Sequence, residues 1–117
     1  MATRSRIGIK NPDGTIVSVY CHWDGCLSYN GKILLNHYND EDKIYDLITR
    51  GDLSSLDEDV NKCDFYQDNN RAIVHKTENE YFDDGESFNY LYKNGKWYYT
   101  DYNNNNFIEL TEEKIKE

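Results

Sequence analysis

The chain has few of the residues that define several common protein classes. Its 117 residues include one proline, one methionine and three cysteines. An odd cysteine count does not form a closed disulfide framework, so we expect reduced thiols and a cytosolic compartment. The seven glycines are scattered singly, which excludes the glycine-rich phosphate-binding loops of nucleotide-hydrolysing and dinucleotide-binding proteins.

Long apolar runs are also missing from the sequence. No stretch approaches the roughly 18 apolar residues of a membrane helix. Residues 1–6 lead into a strand pattern without an apolar leader segment. We therefore expect no membrane partner and a location in the cytoplasm of a bacterial cell.

Basic runs are absent, and the acidic excess is uneven. Residues 1–50 contain six basic and six acidic residues, so the net charge of -9 lies entirely in residues 51–117. An acidic half without a basic patch repels nucleic acid, so we expect no direct nucleic-acid binding. The acidic half of the chain suits a protein partner with a basic surface, or it serves only solubility.

The composition nevertheless favours a folded domain. Aromatic residues make up 15% of the chain, with 11 tyrosines, although the mean hydropathy is -0.94. Disordered chains are poor in aromatic residues, and tyrosine rings can fill a core while their hydroxyls reach polar partners. The length predicts one domain over residues 1–117.

Local patterns predict three segments within this domain. Alternation predicts an N-terminal hairpin over residues 6–24, and helical spacing predicts two helices over about residues 29–50. The Asn94-Gly95 pair predicts a tight hairpin within a C-terminal meander over residues 71–110. The expected fold is α+β, an antiparallel sheet of about five or six strands with two helices packed on one face.

The predicted helices have recognisable ends. Ser28 is the expected cap of the first helix and Asp40 of the second, and Gly51 ends the second. A short third helix is possible by pattern near residues 56–62, whereas residues 79–87 are predicted to form an acidic loop.

Strand alternation also assigns residues to faces. It places Val17, Val19, Cys21 and Trp23 in the core, with the more polar alternate residues lining a surface or a cleft. In the tight hairpin, one aromatic face is expected to pack on the helices. That face contains Phe88, Tyr90, Tyr92, Trp97 and Tyr99.

The second strand and the helix after it contain most of the residues that could carry chemistry. Tyr20, His22 and Asp24 lie two apart on one strand face, as a phenol, a general base and its orienting carboxylate would. The same trio could be a structural hydrogen-bond network. His37 lies beside a helical apolar stripe, where a histidine is more often structural.

A metal site and a cofactor are not expected. Cys21 and His22 are adjacent in a strand and point to opposite faces. No pair of cysteines or histidines has the usual spacing of a structural zinc site.

A nucleotide ligand is the second class of partner that the residue types allow. Aromatic rings stack on bases, while Arg71 and His75, four apart on a predicted strand, could contact a phosphate. The candidate ligand-binding residues are Tyr20, His22, Trp23, Asp24, His37, Arg71, His75 and Trp97.

A protein partner would instead meet an acidic face. The candidate residues of this face are Asp57, Glu58, Asp59, Asp64, Asp68, Asp83, Asp84 and Glu86. Such a face would steer the chain to a basic partner surface.

Two strings of residues carry a resemblance. They are Cys21-His22-Trp23-Asp24-Gly25 and Gly31-Lys32-Ile33-Leu34-Leu35, the latter followed by His37-Tyr38. They resemble a family of small, mostly uncharacterised proteins encoded by tailed bacteriophages. Residues 1–14 and 51–56 match its members as well. The resemblance implies an accessory role in infection, either host takeover or counter-defence.

The chain departs from this family directly after the first string. Cys26-Leu27-Ser28 stands where the family has Tyr-Pro-Glu. The missing carboxylate weakens a catalytic pairing of a glutamate with His22.

Three functions follow, in order of preference. The first is a non-enzymatic phage accessory protein that binds and inhibits a host protein in the cytoplasm of the infected cell. The second is a protein that binds or sequesters a nucleotide signal. The third is a small hydrolase-like enzyme that uses His22 and Asp24, which ranks last because the sequence shows no nucleophile motif, metal cage or phosphate loop.

Overall fold

A computed structural model describes residues 2–66, 72–101 and 104–116 of the chain. The strands are β1 Ser5–Lys10, β2 Ile16–Cys21, β3 Leu53–Ser55, β4 Asp64–Phe65, β5 Ile73–His75, β6 Phe88–Lys93, β7 Lys96–Asp101 and β8 Asn104–Glu109. The helices are α1 Lys32–His37, α2 Glu41–Thr49, α3 Glu78–Asp83 and α4 Glu112–Lys116. A π-helical turn over Leu27–Gly31 precedes α1, and a 3₁₀ turn spans Val60–Lys62.

The strands form one mixed sheet of eight strands in an α+β fold. The order is β4-β3-β2-β1-β6-β7-β8, and β5 also pairs with β2. The predicted all-antiparallel sheet is wrong, because β1 pairs with β6 and β2 with β3 in parallel. The predicted strand number was also too low, since β3 and β4 have three and two residues and show no alternation over such a length.

One face of the sheet carries the main core. Ile7, Ile9 and Val19 face α1 and α2, whose residues Leu34, Ile44, Leu47 and Ile48 are buried against them. The predicted aromatic face of the β6–β7 hairpin packs on this side, and Tyr92 pairs with Trp97 as expected. The indole of Trp97 donates to the Tyr38 carbonyl at 2.7 Å and so ties the hairpin to the end of α1.

The opposite face is covered in part by α3. Its Tyr81 is fully buried over Gly8, stacks on Phe107 and donates its hydroxyl to the Tyr90 carbonyl at 2.8 Å. The prediction that helices gather on one face is therefore wrong. The loop predicted over residues 79–87 is helical up to Asp83, whereas residues 84–87 belong to no helix or strand, as predicted. The strand order explains the helix: β2 and β1 lie between β5 and β6, so the connection must cross the sheet.

The helix ends confirm one expected cap and correct another. Asp40 accepts from the Asp42 amide at the start of α2, and Gly51 follows that helix with a φ of +98°. Ser28 does not cap α1, because the π-helical turn begins at Leu27 without a side-chain cap. Within the described ranges, no helix combines the length and the apolar character needed to cross a bilayer.

The three thiols differ in their surroundings, since Cys21 is buried whereas Cys26 and Cys63 are partly exposed, and this leads to a chemical prediction. Burial raises the pKa of Cys21 to about 11 and also raises the pKa of Cys63, whose sulfur accepts from the Asp57 amide. At pH 8 about one Cys21 thiol in a thousand is ionised. We expect native protein to react with iodoacetamide at one thiol, Cys26, with Cys21 at least about 100-fold slower.

Peptide mass spectrometry after timed alkylation measures these rates. Urea-unfolded protein should react at all three cysteines, and Cys26→Ser should remove the fast reaction. Fast modification of Cys21 in native protein would contradict the burial described here.

Candidate functional site

The end of β2 is a turn held mainly by backbone hydrogen bonds. After Cys21, the amides of His22 and Trp23 donate to the carbonyls of Leu53 and Ser54, both at 3.0 Å. Asp24 has a φ of +60°, and the Gly25 amide donates to the Thr3 carbonyl at 2.9 Å. A Cβ on Gly25 would lie 2.7 Å from that carbonyl oxygen, so the close approach of the two chain segments requires glycine.

One buried amide joins this turn to the first helical segment. Asn30 Nδ2 donates to the Trp23 carbonyl at 3.0 Å and lies 3.4 Å from both Ser5 Oγ and Cys21 Sγ. The Tyr90 hydroxyl donates to the Gly25 carbonyl at 2.6 Å. The backbone of the Cys21–Gly25 string and the Cys21 thiol therefore form a structural network.

The side chains of Tyr20, His22 and Trp23 meet at the surface beside this network, and we call them the aromatic patch. Tyr20 Oη lies 2.7 Å from His22 Nδ1, and the His22 ring packs edge-on against Trp23 with centroids 4.8 Å apart. Trp23 is 45% exposed, so its predicted place in the core is wrong. The reason is that β2 ends at Cys21, and alternation does not continue into the turn.

A shallow depression adjoins the aromatic patch. It has a volume of about 470 Å³ and is lined by Ala2, Arg4, His22, Trp23, Glu86 and Ser87. Desolvation raises the pKa of Tyr20, so its phenol remains protonated at neutral pH. The depression thus offers a guanidinium, an imidazole and an indole around one open space.

Asp24 does not join His22 as the strand pattern predicted. Its positive φ turns the chain, and its carbonyl accepts from the Asn30 amide. Among the residues that the structure describes, no hydrogen bond or ion pair links the Asp24 carboxylate to the His22 ring. A base oriented by this carboxylate is therefore not formed in the described structure.

Two other predicted ligand residues lie on the helical side of the sheet. Trp97 is 1% exposed and belongs to the core. His37 is exposed at the end of α1, where its Nε2 lies 3.4 Å from a Glu58 carboxylate oxygen. Neither residue reaches the aromatic patch. Arg71 lies outside the described residues.

The predicted acidic face is divided between the two sides of the sheet. Asp57, Glu58 and Asp59 follow β3 beside the helices, where Asp57 and Asp59 accept from local backbone amides. Asp83, Asp84 and Glu86 lie at the far end of α3, and Glu86 borders the depression. We call the latter three residues the acidic end of α3. Asp64 is exposed on β4, and Asp68 lies outside the described residues.

His75, also a predicted ligand residue, belongs to a buried polar cluster beneath α3. Arg6, only 5% exposed, donates from Nε to Ser18 Oγ at 2.9 Å and from Nη2 to the Ser18 carbonyl at 3.1 Å. Ser18 Oγ lies 3.3 Å from His75 Nε2, and His75 Nδ1 lies 3.3 Å from Asp84 Oδ2. Burial and the Arg6 charge lower the pKa of His75 despite the Asp84 carboxylate.

Ser18, His75 and Asp84 are the residue types of a hydrolytic triad, but the serine hydroxyl is not accessible to a substrate. Ser18 has no exposed surface, and its oxygen accepts from Arg6. A nucleophile must reach its substrate and pass its proton to the base. The arrangement therefore does not supply the nucleophile that the enzyme hypothesis lacks.

Arg6 and Ser18 were not among the candidate residues predicted from the sequence. Alternation placed Ser18 on the polar face of the second strand, and that face was expected to line a surface or a cleft. Nothing in the local pattern indicated that α3 would cover it.

Protein-family models, curated proteins and solved structures yield no significant match to the chain. The contacts of the described residues are therefore the basis for any assignment of function.

The Asn30 network leads to a stability prediction. We expect Asn30→Ala to lower the free energy of unfolding by about 2–3 kcal/mol, because the part-buried Trp23 carbonyl would lose its amide donor and a cavity would form where the buried Asn30 side chain was. Urea denaturation followed by circular dichroism measures the change.

Asn36→Ala is the matched control, since Asn36 is exposed on α1. It should change the free energy by no more than about 0.5 kcal/mol. Equal stability of the two variants would show that the Asn30 hydrogen bonds do not hold the turn.

Proposed function

We propose that the chain is a non-enzymatic phage accessory protein that binds a host protein in the cytoplasm of the infected cell. The binding surface would consist of the aromatic patch and the acidic end of α3. The observation that carries this proposal is Trp23, a large indole that is 45% exposed on a rigid turn.

The surroundings of Trp23 explain why it suits binding. Its amide and carbonyl are both fixed by hydrogen bonds, and its ring rests against His22. A side chain held in place loses little conformational entropy when a partner covers it. Tryptophan, tyrosine and arginine dominate the residues whose truncation costs most at protein interfaces.

Charge supports a basic partner surface. Glu86 borders the depression beside Trp23, and Asp83 and Asp84 lie two to three residues earlier in the chain. With a net charge of -9, these carboxylates would speed encounter with a positively charged surface and fix its orientation. Asp57, Glu58 and Asp59 lie on the helical side and are not part of the proposed surface.

The resemblance to small tailed-phage proteins supports the accessory role. Its first string forms the turn that presents Trp23, and its second string begins at Gly31, directly after the Asn30 that holds this turn. An accessory protein of this kind acts by occupying a host surface, which requires no catalytic residue.

A nucleotide signal is the second candidate ligand, and the depression is the observation that favours it. Arg4 could contact a phosphate there, while Trp23 and His22 could stack on a base. A volume of about 470 Å³ falls within the range of small-molecule sites. The acidic Glu86 at the same rim disfavours an anionic ligand, so we rank this candidate second.

Trp23 provides the test of the protein-binding proposal. A host protein captured from bacterial lysate would be purified and its affinity measured by calorimetry. We expect Trp23→Ala to weaken binding at least about 30-fold, the loss typical of a central interface residue. The association rate should fall as salt rises, because exposed charges are screened.

Tyr29→Ala is the matched control, because Tyr29 is also a large exposed aromatic residue, at 59%, but lies beside Lys32 and His37 instead of the patch. It should change the affinity no more than about twofold. Equal losses in the two variants, or an association rate independent of salt, would contradict the proposed surface.

Tryptophan fluorescence distinguishes nucleotide binding from protein binding. Trp97 is buried, so quenching of tryptophan fluorescence by added nucleotides would report mainly on Trp23. Saturable quenching that disappears in Arg4→Ala, with no host protein depending on Trp23, would favour nucleotide binding over protein binding.

A further inference from the structure

Three side chains with metal-binding atoms converge between β5 and α3. His75 ends β5, while Glu80 and Asp84 lie four residues apart, one helical turn, on and just after α3. One ligand atom from each of the three lies within 4.8 Å of the others. We propose that His75, Glu80 and Asp84 together bind one divalent transition-metal cation of the zinc class.

His75 gives this cluster its strongest indication of a ligand. The side chain is 1% exposed, yet its Nδ1 has no hydrogen-bond partner. Buried nitrogen atoms of this kind are almost always satisfied. Asp84 Oδ2 lies 3.3 Å from Nδ1, which is ion-pair distance from a protonated ring, but the two atoms do not form a hydrogen bond.

The contact of the other ring nitrogen, Nε2, orients the imidazole so that Nδ1 faces Asp84. Ser18 Oγ lies 3.3 Å from His75 Nε2 and is itself fixed by the Arg6 guanidinium. A proton on Nε2, donated to Ser18, leaves the Nδ1 lone pair facing the carboxylates. This is the usual arrangement of a metal-binding histidine, whose second nitrogen donates to a neighbouring oxygen.

In the tautomer with the proton on Nε2, the Nδ1 lone pair and the Asp84 oxygen 3.3 Å away repel each other unless a positive charge lies between them. A zinc ion with ligands at about 2.0–2.1 Å in tetrahedral geometry separates each ligand pair by about 3.4 Å. The Nδ1–Oδ2 separation already has this value. Glu80 is exposed, so rotation of its side chain can bring in the third ligand atom.

The ligand types distinguish among cations. One imidazole nitrogen and two carboxylates suit zinc and its transition-metal neighbours, whereas calcium and magnesium prefer oxygen ligands alone. Two carboxylates outweigh the single positive charge of nearby Arg6. Three protein ligands leave one coordination position for water or for a group from outside the chain.

This inference does not depend on the proposed function, because it is argued from the contacts of His75 and not from a partner, although Asp84 also belongs to the acidic end of α3. The two sites are nevertheless close along the chain, since Asp84 precedes Glu86 by two residues. A bound cation would fix the end of α3 against β5. It would also neutralise part of the acidic end of α3.

The test uses the full chain purified with a chelator and then dialysed free of it. Zinc sulfate would be titrated by calorimetry, and cobalt chloride would serve as a spectroscopic probe of ligand number and type. We expect one zinc ion per chain and a cobalt spectrum without the thiolate charge-transfer band that Cys21, Cys26 or Cys63 would produce.

Asp84→Asn and Glu80→Gln should each weaken zinc binding at least about 100-fold, since each removes a ligand charge. Both side chains are exposed, so the variants should fold. Asp83→Asn is the matched control, because it removes the same charge one position away and should leave affinity within about threefold.

Three results would overturn the proposal. They are no stoichiometric zinc binding at micromolar free metal, equal losses in Asp83→Asn and Asp84→Asn, or a thiolate band in the cobalt complex. If the zinc-loaded and the metal-free chain bind a host protein with the same affinity, the proposed cation site still stands. The cation site and the protein-binding surface are therefore contradicted by different results.

Discussion

The pairing of β1 with a strand on each side is the constraint on which the rest of the structure depends. β1 has six residue pairs with β2 and five with β6, and the second set is parallel. A parallel pair cannot be closed by a tight turn, so the intervening chain must cross the sheet. The π-helical turn, α1 and α2 cover one face on the way from β2 to β3, and α3 crosses the other face before β6.

This arrangement gives the two faces of β1 different chemistry. Ile7 and Ile9 point into the main core, whereas Arg6 and Gly8 face α3. The two tryptophans follow the same division: Trp97 is buried on the helical side, and Trp23 is exposed where β2 ends. The first face therefore holds the main core, whereas the second face combines a smaller apolar cluster around Tyr81 with the buried polar groups of Arg6, Ser18 and His75.

Local patterns predicted the parts of the fold that local interactions determine. The register of the β6–β7 hairpin followed from Asn94-Gly95, and Asp40 and Gly51 marked the limits of α2. Each of these features depends on residues only a few positions apart. The sequence accordingly predicted the hairpins, the helical region and the α+β class.

Features that depend on distant pairing were not predictable in the same way. The parallel β1–β6 pair joins residues more than 80 positions apart, as Ser5 with Phe88. The two-residue β4 has no periodicity of its own. His22 and Trp23 lie side by side at the surface, but the turn after Cys21 gives them neighbours that strand alternation did not predict. His75 acquired Ser18 and Asp84 only through strand order and the crossing of α3.

The polar cluster under α3 is difficult to explain by stability alone. Arg6 is buried, and its hydrogen bonds among the described residues go to a hydroxyl and a carbonyl of Ser18. Replacing buried charged groups by apolar residues of similar size is often neutral or stabilising, by about 1–4 kcal/mol. Burying this polar cluster under Tyr81 is therefore weak evidence that it serves to hold α3. A cation at His75 gives the cluster a different role, because Arg6 then orients Ser18, Ser18 orients the imidazole, and the imidazole meets the metal. Each contact of the cluster has a purpose in that chain of hydrogen bonds, whereas a packing role leaves the buried Nδ1 of His75 unexplained.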